Sequence, residues 1–223
     1  MPNQYEIEIK SLLGDSERAV KLRKKIKEKG GVFLNSHKQL NHYFILSDVK
    51  KFKRDLLPFI EKSKKKLFQK VLDSGKDFSV RTREADGKIV LVVKASIDAG
   101  TSANSVSRME FESEMDMTLD ELDQLLLNVG LEYQAKWSRE REEYRLNDIS
   151  ICLDKNAGYG YLVEFEKMIS DHALADTAKK ELLKIMKEFK VEELPQDRLE
   201  RMFAHYNGNW RDYYGTDKIF NIK

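Results

Sequence analysis

The sequence predicts an α+β protein organised around an antiparallel sheet. Three observations point there. Short segments alternate apolar and polar residues with a period of two, from 5–12 through 161–168, the spacing of a strand with one buried face. Several of them are joined by turn residues, as in hairpins. Between them lie stretches of helical spacing with recognisable start and stop residues.

In chain order, residues 5–12, YEIEIKSL, place Tyr5, Ile7 and Ile9 on one face and Glu6, Glu8 and Lys10 on the other. Residues 15–31 read as a helix capped by Asp15 or Ser16 and stopped at Gly30. A short strand, NHYFIL, spans 41–46, and the Lys-rich stretch 47–77 reads as one or two helices bent near Pro58. FSVRTRE and KIVLVVKASI flank the turn ADG as a hairpin, and SRMEFESEM at 107–115 alternates again. A helix over 118–130 has a capping box from Thr118 to Glu121 and a stop at Gly130. YQAKWSREREEYRL and ISICLD form a second hairpin around Asn147-Asp148, and YLVEFEKM at 161–168 is the last strand. Residues 170–189 read as a helix capped by Ser170, and the tail HYNGNWRDYYGTDKIF, rich in aromatics and turn residues, is expected to pack on the outside.

Composition narrows the function. The 223 residues carry 40 bases against 38 acids, so charge is abundant at 35% but nearly balanced. Balanced charge at that density belongs to an ion-pair-laced surface or to a polar interior. The domain-wide basic excess of a nucleic-acid binder is missing. Only 50–70, with nine Lys or Arg against Asp55 and Glu61, offers a local alternative, and a solvated amphipathic helix is the first reading there. The single cysteine, Cys152, excludes an intrachain disulfide and a thiolate zinc site. The four histidines show no ligand spacing, and no apolar run approaches a membrane span. A cytoplasmic protein with no membrane partner is expected, with a homodimer left open.

The polar faces of the strands are almost wholly ionisable. They present Glu6, Glu8 and Lys10; Arg81 and Arg83; Lys94; Arg108, Glu110, Glu112 and Glu114; Arg139 and Arg141; Asp154; and Glu164 and Glu166. A solvated sheet would ordinarily mix in Thr, Ser and Gln. If the sheet curls so that the helices pack outside, these faces line a lumen, and so many enclosed charges require pairing, hydration or a ligand. Carboxylates without His or Cys favour Mg²⁺ or Mn²⁺. Arg suits bidentate phosphate recognition and Lys acts as a point charge. Metal plus polyphosphate is the chemical inference.

The ordered set of motifs resembles the CYTH superfamily, the triphosphate tunnel metalloenzymes, which includes class IV adenylyl cyclases, thiamine triphosphatases and tripolyphosphatases. Glu6, Glu8 and Lys10 match its N-terminal Glu-x-Glu-x-Lys; Arg81 and Arg83 its Arg-x-Arg strand; Lys94 its hairpin lysine; Glu110 and Glu112 its middle Glu-x-Glu. Arg139, Arg141 and Tyr144 match its basic strand, and Asp154, Gly158, Gly160, Glu164 and Glu166 its closing element. The resemblance implies an eight-stranded antiparallel β-barrel, a tunnel with a charged lumen and helices outside. It implies metal held by Glu6, Glu8, Asp154, Glu164 and Glu166, and phosphates held by Lys10, Arg81, Arg83, Lys94, Arg139 and Arg141. Glu6, Glu8, Lys10, Arg81 and Arg83 are the catalytic candidates, with Glu110, Glu112 and Lys136 as secondary ones. The chain departs from the family at Asn41 in QLNHYF, where an acid is usual, and in the length of its Lys-rich stretch.

The expected organisation is a tunnel domain over 1–190, with a helical insertion at about 47–77, and a C-terminal extension over 191–223. The expected activity is metal-dependent hydrolysis of a small triphosphate: tripolyphosphate, thiamine triphosphate or a nucleoside triphosphate. A class IV adenylyl cyclase is the alternative, although no base-recognition signature stands out. A non-catalytic polyphosphate-binding module is the second alternative.

Overall fold

The computed structural model describes residues 5–96 and 108–222. Ile97 and Ser107, expected at strand ends, lie outside the described residues. The elements run β1 (Tyr5–Gly14), α1 (Ser16–Glu28), β2 (Val32–Ile45), α2 (Val49–Leu56), α3 (Lys65–Ser74), β3 (Lys76–Ala85), β4 (Lys88–Ser96) and β5 (Arg108–Glu114). They continue as α4 (Leu119–Asn128), β6 (Glu132–Leu146), β7 (Ile149–Asn156), β8 (Gly160–Ile169), α5 (Ala175–Phe189) and α6 (Gln196–Tyr213). The α+β class and the eight antiparallel strands match the expectation. The described residues fall into two compact units: one runs up to Lys38 and resumes at Ser138, and the other holds the residues from Gln39 to Trp137.

In the first unit, β8 pairs antiparallel with β1 and β7, and β7 pairs with β6. The period-two pattern of β1 buries Ile7 and Ile9, and Leu153, Val163 and Phe165 join them. Helices α1 and α5 cover this face with Leu22, Ile26, Leu182, Met186 and Phe189. Each such side chain contributes about 1.5–3 kcal/mol by leaving water. Asp15 caps α1, accepting from the Arg18 backbone N–H at 2.9 Å.

In the second unit, β3 pairs with β2 and β4, and β4 with β5. Its apolar face, with Val80, Leu91, Val93 and Phe111, packs against Phe52, Leu56, Phe68, Val71, Leu122 and Leu126. The Lys-rich stretch is therefore part of a core: Phe68 packs between Phe52 and Phe111 with tilted rings, at centroid distances of 5.9 and 5.0 Å. As expected, it breaks at Pro58, inside a single 3₁₀ turn after α2.

Three sequence expectations are corrected. β2 is 14 residues long and begins at Val32, well before Asn41. Its first residues, Val32, Phe33 and Leu34, are exposed by half or more, so no buried face imposes an alternation that could be read. The cap at Ser170 gives way to Asp171, which caps a short 3₁₀ turn, and α5 starts only at Ala175. The aromatic tail is helical as far as Tyr213. α6 buries Leu199, Met202 and Tyr206, and its one non-helical residue, Asn209, kinks it just after Gly208. Beyond it, the chain returns to the turn between β7 and β8, where the Gly158 N–H donates to Lys218 O at 2.9 Å and the Phe220 N–H to Gly158 O at 2.8 Å.

Candidate metal and phosphate site

The β1–β8 register sets Glu8 directly opposite Glu166 and Lys10 opposite Glu164. Glu6, one period before Glu8, joins them: one carboxylate oxygen from each of Glu6, Glu8 and Glu166 lies within 4.8 Å of the others. Like charges facing each other across a strand pair are destabilising. Accordingly Glu166 is pushed up to about 8, first by burial and then by Glu6, Glu164 and Glu8, against the pull of Arg141. An all-oxygen, all-carboxylate set fits a hard divalent cation, which would remove this repulsion.

Asp154 and Glu164, also expected as metal ligands, sit elsewhere in the same charged face. Arg141 faces Asp154 across the β6–β7 pair and grips it with two bonds of 2.7 Å, while Arg139 adds one of 2.9 Å. Arg141 also reaches Glu164 at 2.5 Å, and Lys10 stands 2.9 Å from Glu8 and 3.3 Å from Glu164. The first unit thus brings together eight of the predicted residues: three carboxylates cluster, and two others hold the bases. Cys152 lies on this face between them, but burial pushes its thiol up, so it remains protonated.

Two glycines of the closing element are required by geometry. Gly160 has φ +71°, and a Cβ there would stand 2.2 Å from Gly14 O. At Gly158, φ +80°, a Cβ would enter the ring of Tyr206 at 2.7 Å.

The second unit carries the remaining predicted bases on its own charged face. Arg81 Nη1 donates to Tyr43 Oη at 2.7 Å and its guanidinium lies over that ring. Its Nε is a buried donor with no hydrogen-bond partner among the described residues, an atom suited to an anionic ligand. Burial opposes its charge, but Tyr43 and Glu110 outweigh it and hold Arg81 protonated. Arg83 contacts Glu112 at 3.1 Å and donates to Asn41 Oδ1 at 3.3 Å. Asn41, where the resemblance calls for an acid, therefore serves as a neutral acceptor for Arg83. Lys94 pairs with Glu110 at 3.2 Å. Of the secondary candidates, Lys136 is placed differently, 3.7 Å from Asp123 and over the ring of Tyr133. Glu114 is an exposed partner of Lys88 at 3.8 Å.

Sequence reasoning missed the residues behind these faces. Asp123, buried on α4, receives Thr82 Oγ1 at 2.7 Å and Tyr133 Oη at 2.7 Å, and meets His42 Nδ1 at 2.6 Å. His42 and Thr82 are paired across β2 and β3, between Asn41, Tyr43, Arg81 and Arg83. Asp123 thus ties down the back of the two strands that present those side chains. In the first unit, Arg23 of α1 holds Glu142 with contacts of 2.7–3.0 Å, directly behind Arg141. The signal was present as a charge at a core-facing helical position, but its partners are remote in sequence.

The model of the CYTH domain family matches residues 72–198. A Methanocaldococcus jannaschii protein named as a candidate adenylate cyclase, MJ0240, is 26% identical over 116 residues, 52% of this chain. The match spans 63% of that relative's length. Among solved structures, the PH1819 protein of Pyrococcus horikoshii OT3 has a TM-score of 0.62 at 21% identity, over 90% of this chain and 99% of that one. HpAC1 of Hippeastrum, a candidate adenylyl cyclase described as having a dominant triphosphatase activity, has a TM-score of 0.55 at 18% identity, over 90% and 96%. These structures share the fold. With more than half its length matched by the family model, the chain belongs to the CYTH domain family.

Proposed function

We propose that the protein is a divalent-metal-dependent triphosphatase acting on a small triphosphate. The observation that carries this reading is the Glu6–Glu8–Glu166 cluster, whose oxygens converge within 4.8 Å on a strand pair that sets two carboxylates face to face. Family membership and the triphosphatase activity described for the Hippeastrum protein support the same chemistry.

These three glutamates would hold Mg²⁺ or Mn²⁺, while Asp154 and Glu164 hold the bases on the same face. The bound cation would supply charge neutralisation and polarisation at a phosphoryl oxygen and a water. Lys10, Arg139 and Arg141 in one unit, and Arg81, Arg83 and Lys94 in the other, are the candidates for the phosphates. Asp154 fixes the Arg139 and Arg141 forks in advance, so little reorganisation is needed as charge builds on the phosphoryl oxygens. Lys10, between Glu8 and Glu164, offsets the acids so that a polyanion can approach.

A class IV adenylyl cyclase is the second reading, favoured by the similarity to the M. jannaschii protein. Product analysis separates the two. The purified protein with Mg²⁺ or Mn²⁺ is offered tripolyphosphate, thiamine triphosphate and ATP separately. Orthophosphate release that disappears in Glu6→Ala supports the triphosphatase. Cyclic AMP with pyrophosphate from ATP would establish the cyclase instead. No product with either metal would leave a binding module and refute both enzymatic readings.

A further inference from the structure

The Lys-rich stretch has a charge distribution that its core role does not explain. Residues 50–70 hold nine Lys or Arg against two acids, a surplus of seven in a chain whose whole surplus is two, so the rest of the chain is acidic by five. The first half of the surplus is matched locally: Lys51 and Arg54 meet Asp55 at 3.3 and 2.6 Å, and Lys53 meets Asp73 at 2.7 Å. The second half, Lys62 to Lys66, has only Glu61 as a nearby acid in sequence, and Glu61 accepts from Ser63 at 2.5 Å. Lys62 and Lys66 are exposed. Within this run, Lys64 Nζ donates to the backbone oxygen of Glu112 at 3.1 Å, and the Glu112 carboxylate is the partner of Arg83 at 3.1 Å. One contact therefore joins the basic run to the main chain of β5 at Glu112, the residue whose side chain meets Arg83 on the charged face.

We propose that residues 62–66 form a docking segment for linear inorganic polyphosphate, extending the phosphate face beyond Arg83 so that a chain longer than three phosphates is held along the lysines. The inference rests on reading the Arg81–Arg83 face as a phosphate site. Lysine point charges suit a featureless, flexible polyanion. A nucleic-acid strand is the poorer fit, because bases are gripped by aromatic and guanidinium planes. Here Phe52 and Phe68 are fully buried, leaving Phe59 as the exposed ring, and the one arginine, Arg54, is paired with Asp55.

The test compares the full chain with the double variant Lys62→Gln, Lys66→Gln. Binding of long-chain polyphosphate and of a single-stranded RNA is followed across salt concentrations, beside tripolyphosphate turnover. We expect the variant to bind polyphosphate on the order of tenfold more weakly at low salt. Its salt slope should fall by about two, one per lysine removed, while tripolyphosphate turnover is unchanged. Equal affinity and slope in both proteins would overturn the proposal. So would an equal loss of tripolyphosphate turnover, or RNA binding that is tighter than polyphosphate binding and equally dependent on the two lysines. A protein that turns over no triphosphate, yet binds polyphosphate through Lys62 and Lys66, would refute the enzymatic reading and support the docking segment.

Discussion

Glu8 and Glu166 stand opposite each other across the β1–β8 pair, with Glu6 close enough for all three to share one ion. This arrangement opposes stability, and the cation proposed above would relieve it. Burial and its carboxylate neighbours raise Glu166 to about 8. A carboxyl whose folded value exceeds its unfolded value of about 4.3 stabilises the fold fully below that lower value, and loses the contribution as pH rises to the folded one. Metal-free protein should therefore melt at a lower temperature at pH 8.5 than at pH 5.5. Glu166→Gln should flatten the difference, and Mn²⁺ should raise the melting temperature of the native protein alone. Thermal unfolding in chelator and in Mn²⁺ checks both.

Arg81→Lys should lower triphosphate turnover on the order of 10²-fold, the usual cost of one misplaced charge-stabilising donor. Lysine keeps the charge but loses the planar fork that reaches Tyr43 and presents the buried Nε. Steady-state kinetics should show the loss in kcat. A variant with native kcat would exclude Arg81 from charge stabilisation.

Asp123→Ala should destabilise the protein by about 3–5 kcal/mol, because it strands His42, Thr82 and Tyr133 around a buried gap. Burial alone would raise the Asp123 carboxyl, but its hydrogen bonds from His42, Thr82 and Tyr133 outweigh this and hold it low. The stability it contributes is present above an unfolded value of about 3.9 and is lost as pH falls through the lower folded one. Urea unfolding should thus show a gap between native protein and variant that is full at pH 7 and narrows towards pH 3.

Gly160→Ala should cost at least about 2 kcal/mol, since it combines a left-handed backbone with a collision on Gly14 O. Gly14→Ala, also left-handed at φ +76° but with nothing among the described residues within 4 Å, should cost only about 1–2 kcal/mol. The difference in denaturation midpoint between the two variants measures the close approach alone.

The strand faces were legible because alternation is a local property. Ile7 and Ile9 buried and Glu6, Glu8 and Lys10 on the other face follow from neighbours two residues apart. The first half of β2 was illegible for the converse reason, since Val32, Phe33 and Leu34 are all exposed. α6 was obscured by Asn207, Gly208 and Asn209, which read as a turn, yet the helix continues past a kink at Asn209. Membership in the charged set was visible, but its division was not. Whether Asp154 joins Glu166 or holds Arg141 depends on the β6–β7 and β7–β8 registers, and these are fixed by pairing between distant segments.

Titration of the purified, metal-free protein with Mn²⁺, followed by electron paramagnetic resonance, tests the central claim most directly. The predicted result is stoichiometric binding that is lost in Glu8→Gln and Glu166→Gln and retained in Glu114→Gln, whose glutamate is an exposed partner of Lys88. Undiminished binding in Glu8→Gln and Glu166→Gln, or none by the native protein, would contradict it.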